Sequence, residues 1–189
     1  MSDGAVNSFG VSMRVQTCAI DSGGHHTHEV YNYARLHRHV GVFAVKGASK
    51  AGRPVIGRPV AMDVTHKGRT IKGGVQLWQV GTDTAKHLLF NYIASDEESV
   101  PADRFIRFPA GLADEYFEQL TAEVYDADKD QWRKLPGRRN EVIDLFVYGF
   151  AAAYHPLMPL DTMRDADWAQ LESLIEPVNG DLFTQPART

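Results

Sequence analysis

Cysteine is almost missing from this chain: Cys18 is the only one in 189 residues. A single thiol excludes an internal disulfide and a cysteine-only zinc site. Set among apolar neighbours, Cys18 reads as a small buried hydrophobe. Long hydrophobic runs are missing too. No stretch approaches the length of a membrane span, and the N-terminus lacks the charged-then-apolar pattern of a secretory signal. A soluble cytoplasmic protein without a membrane partner is therefore expected. Basic excess is the third absence. A formal net charge of −4 argues against a generally basic nucleic-acid-binding surface, while leaving local patches open. There is no repeat and no low-complexity tract, and the 43% hydrophobic share is that of a globular chain. This length suits one ordinary α/β domain with a real core.

What is present centres on Cys18-Ala19-Ile20-Asp21-Ser22-Gly23-Gly24. Apolar residues from Met13 to Asp21 read as a buried strand that delivers Asp21 to its C-terminal tip. Two glycines then turn the chain into a helix over Thr27 to Arg38, with Thr27 as its cap and Val30, Tyr33, Ala34 and His37 along one face. After Gly41, a second buried strand runs to Gly47. Strand, helix and strand in about thirty residues make a βαβ unit with parallel pairing. An acid at such a strand tip stands where an open α/β sheet keeps its site.

The stretch from Ala48 to Gly74 is rich in Gly, Pro and basic residues and reads as a long loop. Between Arg35 and Lys72 the chain carries nine Lys and Arg against the single acid Asp63. A polyanionic partner and a solvated loop explain that bias equally well. Val75 to Gly81 alternates as a half-buried strand. A helix then follows through Lys86 to Ile93, with Thr82 available as its cap. Arg104 to Phe108 reads as a short strand and Leu112 to Thr121 as a short helix. Glu123 to Tyr125 and Gln131 to Leu135 form a hairpin. Arg139 to Tyr154 is the clearest helix, with Ile143, Phe146, Val147, Phe150 and Tyr154 on its apolar face. A last amphipathic helix covers about Asp165 to Ile175, and the tail from Glu176 is expected to fray.

Asp144 lies one turn inside the long helix, on a face shared with Asn140, Glu141 and Tyr148. Partial burial of a carboxylate there needs a compensating positive charge. A divalent metal and Arg138 or Arg139 are the alternatives. Asp21 and Asp144 converging at a sheet edge would form the minimal carboxylate set of a Mg²⁺ or Mn²⁺ nuclease, in which two ions sit about 3.5–4 Å apart. Asp83 opens the helix after the Val75–Gly81 strand; the helix dipole accounts for it, with a catalytic role as the alternative. His25, His26 and His28 lack the spacing of a zinc site and read as a polar helix entrance. Lys46, just before Gly47-Ala48-Ser49, is a candidate phosphate contact. Without the rest of a Walker motif, no nucleotide site follows.

Several blocks in order carry a resemblance: Ile20-Asp21-Ser22-Gly23-Gly24; Phe43-Ala44-Val45-Lys46-Gly47-Ala48-Ser49; Val80 to Lys86; Arg107-Phe108-Pro109; Gln119-Leu120-Thr121-Ala122-Glu123; and Arg139-Asn140-Glu141 through Asp144 to Tyr148. Over about residues 14 to 154 the sequence resembles the nuclease domain of the large terminase subunit of tailed phages, of the lambda type. The resemblance implies an RNase H-like α/β fold, a mixed sheet flanked by helices. It implies metal-dependent cutting of concatemeric double-stranded DNA, with Asp21 and Asp144 as catalytic metal ligands in a two-metal Mg²⁺ or Mn²⁺ site. Lys46, Lys50, Arg53 and Arg58 become candidate DNA contacts in the basic segment. The implied partners are duplex DNA, a separate terminase ATPase domain, the small terminase subunit and the portal. The implied location is the cytoplasm of an infected or lysogenic bacterial cell.

The family's domain opens with strands that carry another metal-binding aspartate, and Met1 to Ser12 offers only Asp3 in a loose polar setting. A flexible terminus over residues 1–12, a partial nuclease domain over 13–155 and a C-terminal helix and tail over 156–189 are therefore expected. Weak or absent nuclease activity of this chain alone goes with that, as does a free strand edge suited to self-association. The alternative function is a non-catalytic module that docks DNA or the packaging motor.

Overall fold

A computed structural model describes residues 5–94, 106, 108–158 and 160–175. The chain divides into two units, Thr17–Met158 and a smaller one from Met1–Gln16 and Pro159–Thr189. In the smaller unit β1 (Ala5–Val6) pairs antiparallel with β2 (Ser12–Met13). The turn between them is built by Asn7, whose Oδ1 accepts the Phe9 and Val11 N–H groups at 3.0 and 2.9 Å. Its Nδ2 donates to the Ile175 carbonyl at 2.7 Å. The stretch read as loose thus includes a small hairpin. Val15, expected in a buried strand, is 62% exposed.

The larger unit begins with β3 (Cys18–Asp21), shorter than the strand expected from Met13, because only these four residues join the sheet. α1 (Thr27–His37) and β4 (Val42–Gly47) follow, and β3 and β4 are parallel as the βαβ reading requires. On α1 the buried residues are Tyr31 and Ala34, with Val30 packed beside them. Tyr33, expected on the inner face, is exposed and stacks on His37 with ring centroids 4.0 Å apart. Thr27 is not the cap: it is the first helical residue, and its hydroxyl donates back to the Ser22 and Gly24 carbonyls.

The expected long loop is the main correction. Residues 48–58 are irregular, but β5 (Pro59–His66) and β6 (Arg69–Val80) form an antiparallel hairpin. Lys67 and Gly68 join them, both with positive φ, the two-residue turn that matches strand twist. Exposed residues along most of β5 gave the segment a loop-like composition. The sheet order is β3-β4-β6-β5, with the first three parallel. Among the described residues, the outer edge of β3 has no strand partner.

α2 (Thr82–Ala94), α3 (Asp114–Leu120), the hairpin β7 (Glu123–Asp126) and β8 (Gln131–Lys134), and α4 (Glu141–Ala153) complete this unit. α5 (Asp165–Ile175) belongs to the smaller one. The strand expected at Arg104–Phe108 lies outside the described residues apart from Ile106 and Phe108, which pack against a helical cluster of Leu89, Leu120, Val142 and Ile143. The tail from Glu176 also lies outside them. No helix among the described residues is long and apolar enough to cross a membrane.

Strand alternation assigns the faces. Val42, Ala44, Val75 and Leu77 pack with Tyr31 and Ala34 of α1. Ala19, Phe43, Val45 and Val80 pack with Ala85 of α2 and with Val147 and Ala151 of α4. The result is an α/β unit with a mixed sheet and helices on both faces.

Candidate active site

Asp21 is the last residue of β3 and lies in register with Val45 of the neighbouring strand. Both the N–H and the hydroxyl of Ser22 donate to the Val45 carbonyl, at 2.9 and 2.8 Å. The strand is therefore clamped immediately beyond the aspartate. The carboxylate accepts the Gly23 N–H at 2.9 Å. A Cβ on Gly23 would come within 3.2 Å of Asp21 Oδ1, so the glycine keeps this turn open around the acid. Alternation puts Asp21 on the same face as Ala19 and Val45, the face covered by α4.

On α4 the residues Asn140, Asp144 and Tyr148 are spaced by four and stack along one stripe. The buried residues Val142, Ile143, Val147 and Ala151 anchor the helix in the core. The Tyr148 hydroxyl lies within the field of both acids, Asp21 and Asp144. Burial first, then the charges of Asp21 and Asp144, push this phenol well above its ordinary range. Gly47 makes room here: a Cβ would lie 3.1 Å from Thr82 Cγ2 and 3.9 Å from the Tyr148 hydroxyl.

Asp144 is half-buried, and its carboxyl titrates above the usual carboxylate value. Burial is the main cause; Lys86 opposes it, while Glu123, Glu141 and Asp21 reinforce it. The charge of Asp21 thus reaches Asp144, as the smallest of these causes. The nearby cation is Lys86, neither of the two expected arginines. Arg139 instead reaches Glu115 on α3, at 3.7 Å.

Sequence reasoning missed the layer beneath. Lys86 Nζ donates to Glu123 Oε2 at 2.6 Å, and both side chains are buried. Asn140 Nδ2 donates to Glu123 Oε1 at 2.9 Å and to Asp144 Oδ2 at 3.2 Å. The available hint was a lysine between Ala85 and Leu89, in the apolar stretch of α2 where a charge demands a buried partner.

The remaining candidates lie elsewhere. Asp83 Oδ2 accepts the Gly52 N–H at 2.7 Å, and beside it the Thr84 hydroxyl donates to the Arg53 carbonyl at 2.6 Å. Asp83 therefore pins the 48–58 loop, and it is not among the charges that act on Asp144 or Tyr148. Gly81 completes the attachment: a Cβ there would fall 2.1 Å from the Arg53 carbonyl oxygen. The side chains of Lys50, Arg53 and Arg58 remain exposed on this loop. Lys46 is exposed too, but alternates onto the α1 face, opposite Asp21. His25, His26 and His28 are exposed at the start of α1.

Among the described residues, no three His, Cys, Asp or Glu side chains group so as to hold a metal. The Asp21–Asp144 pair nevertheless has the donor chemistry of a Mg²⁺ or Mn²⁺ site, since such ions are held by one or two carboxylates and keep several waters. The charge of Asp21 acting on the half-buried Asp144 is what a divalent cation would offset.

The family described as "Terminase large subunit gpA, endonuclease domain" matches residues 2–168. The terminase large subunit of Enterobacteria phage P21 is 34% identical over 167 residues, covering 79% of this chain and 24% of that protein. The terminase large subunit of Escherichia phage lambda is 30% identical over 154 residues, covering 76% of this chain and 22% of that protein. The chain thus spans about a quarter of the length of these relatives. No solved structure matches it.

Proposed function

The chain belongs to the endonuclease-domain family of terminase large subunits, and on that premise we propose that it hydrolyses phosphodiester bonds of duplex DNA during phage genome packaging. Asp21 and Asp144 are the ligands for Mg²⁺ or Mn²⁺ in this reading, and the fold is RNase H-like. The observation that carries it is the placement of Asp21 at the tip of β3 on the sheet face that α4 covers, with Asp144 and Tyr148 of α4 both within reach of its charge. The Gly23 N–H orients the first carboxylate, and Asn140 orients the second. When bound, a divalent ion supplies Lewis-acid activation of water and neutralises charge developing on the phosphate. Lys50, Arg53 and Arg58 offer exposed cations to the DNA backbone. The partners are duplex DNA, the terminase ATPase domain, the small subunit and the portal, with the free edge of β3 available for pairing to a further strand.

Plasmid nicking in Mn²⁺ tests this. Slow, metal-dependent nicking that disappears in both Asp21→Asn and Asp144→Asn supports the assignment. Nicking that persists in both variants, or that needs no metal, overturns it.

A further inference from the structure

Asn140 occupies the N-cap position of α4, where an asparagine ordinarily turns its side-chain oxygen onto the free N–H groups of the first turn. Here it makes no such bond. Both contacts of its side chain go through Nδ2, to Glu123 Oε1 and to Asp144 Oδ2. An amide nitrogen carries two hydrogens, and an ionised carboxylate only accepts. One hydrogen therefore serves each acid. Asn140 forgoes the cap and becomes a bridge between two carboxylates.

The far end of the bridge is fixed in turn. Glu123 starts β7, and its other oxygen is taken by Lys86 Nζ at 2.6 Å. The two side chains are only 6% and 11% exposed, so neither swings into water. Three elements with separate places in the chain, α2, β7 and the start of α4, thereby meet on one carboxylate, one donor to each oxygen. We propose that Lys86, Glu123 and Asn140 form a buried brace that positions Asp144 for metal binding. The three are positioning residues. The proposal rests on the reading of Asp144 as a metal ligand, and it extends that reading to residues that never touch the ion. Outer partners of this kind set ligand orientation, and their loss weakens metal binding by roughly 10–100-fold.

The test measures Mn²⁺ affinity by EPR titration and thermal unfolding in parallel. Asn140→Ser keeps the capacity to cap α4 but removes both donors. Lys86→Met/Glu123→Leu replaces the ion pair with apolar groups of similar volume, an exchange that proteins tolerate better than loss of one partner. Both variants are expected to unfold near the wild-type temperature and to bind Mn²⁺ about 10–100-fold more weakly. Wild-type affinity in Asn140→Ser, with affinity lost in Asp144→Asn, overturns the brace and leaves the metal reading standing. Affinity that falls only in step with unfolding temperature also overturns it, since the network then serves the fold alone. Undiminished binding in Asp144→Asn, or no binding by the wild type, overturns the metal reading and the brace with it.

Discussion

Two lysine–carboxylate pairs in this chain have nearly equal lengths and opposite settings. Lys72 reaches Asp63 at 2.8 Å on the β5–β6 hairpin, with side chains 85% and 46% exposed. Lys86 reaches Glu123 at 2.6 Å beneath the candidate site, with 11% and 6% exposed. Water screens the first pair and leaves its members free to move, so it shapes its surroundings more than it stabilises them. Asp63 also takes the Gly73 N–H at 2.9 Å, where the strand register shifts between Met62 and Val64. The second pair has given up hydration, and each charge now depends on the other. Distance alone does not rank such contacts; access of water does.

The largest expected effect comes from breaking the buried pair. Lys86→Met leaves Glu123 charged and unpaired, and should cost about 3–5 kcal/mol in urea unfolding. A cost under about 1 kcal/mol would mean that the pair behaves like a surface contact.

A smaller effect, of opposite sign, is expected at Asp144. Its folded-state carboxyl titrates above the ordinary 3.8, chiefly through burial. The native state therefore holds the proton more tightly than the unfolded one, and its share of stability falls as pH rises from 3.8 through the raised folded value. Asp144→Asn should raise the unfolding temperature at neutral pH and flatten that part of the pH profile. An unchanged profile would show that Asp144 is as well solvated as Asp63. The trade of stability for an ionised acid is common where a site must bind or react.

The smallest effect closes the comparison. Lys72→Ala should leave the unfolding temperature unchanged within error, although the Asp63 carboxyl loses the lysine that holds it below its ordinary value. A measurable loss would show that the hairpin pair is better shielded than its exposure implies.

Asp21 and Asp144 were legible in the sequence because each belongs to a local pattern: an apolar strand followed by two glycines, and a polar stripe on an amphipathic helix. β3–α1–β4, the β7–β8 hairpin and α4 were readable for the same reason. The β5–β6 hairpin was not, because exposed residues along β5 such as Val60 at 49%, and Gly73 and Gly74 within β6, give the segment the composition of a loop. Asp83 was the weaker candidate, at a strand end followed by a helix start, where the helix dipole already accounts for an acid; its carboxylate accepts the Gly52 N–H.

The brace was hidden for a different reason. Its members lie 37 and 17 residues apart along the chain, beyond the reach of any local pattern. The amino-acid sequence by itself determined which acids stand at element boundaries, which faces are apolar, and the family to which the chain is akin. Only the tertiary structure decided that Lys86, not an arginine next to Asp144 in sequence, supplies the opposing charge, and that Asn140 bridges two acids instead of capping its helix. Periodicity reports the surroundings of a residue along its own element. The partner of a buried charge is set by whichever elements pack around it, and that choice appears only when the chain is folded.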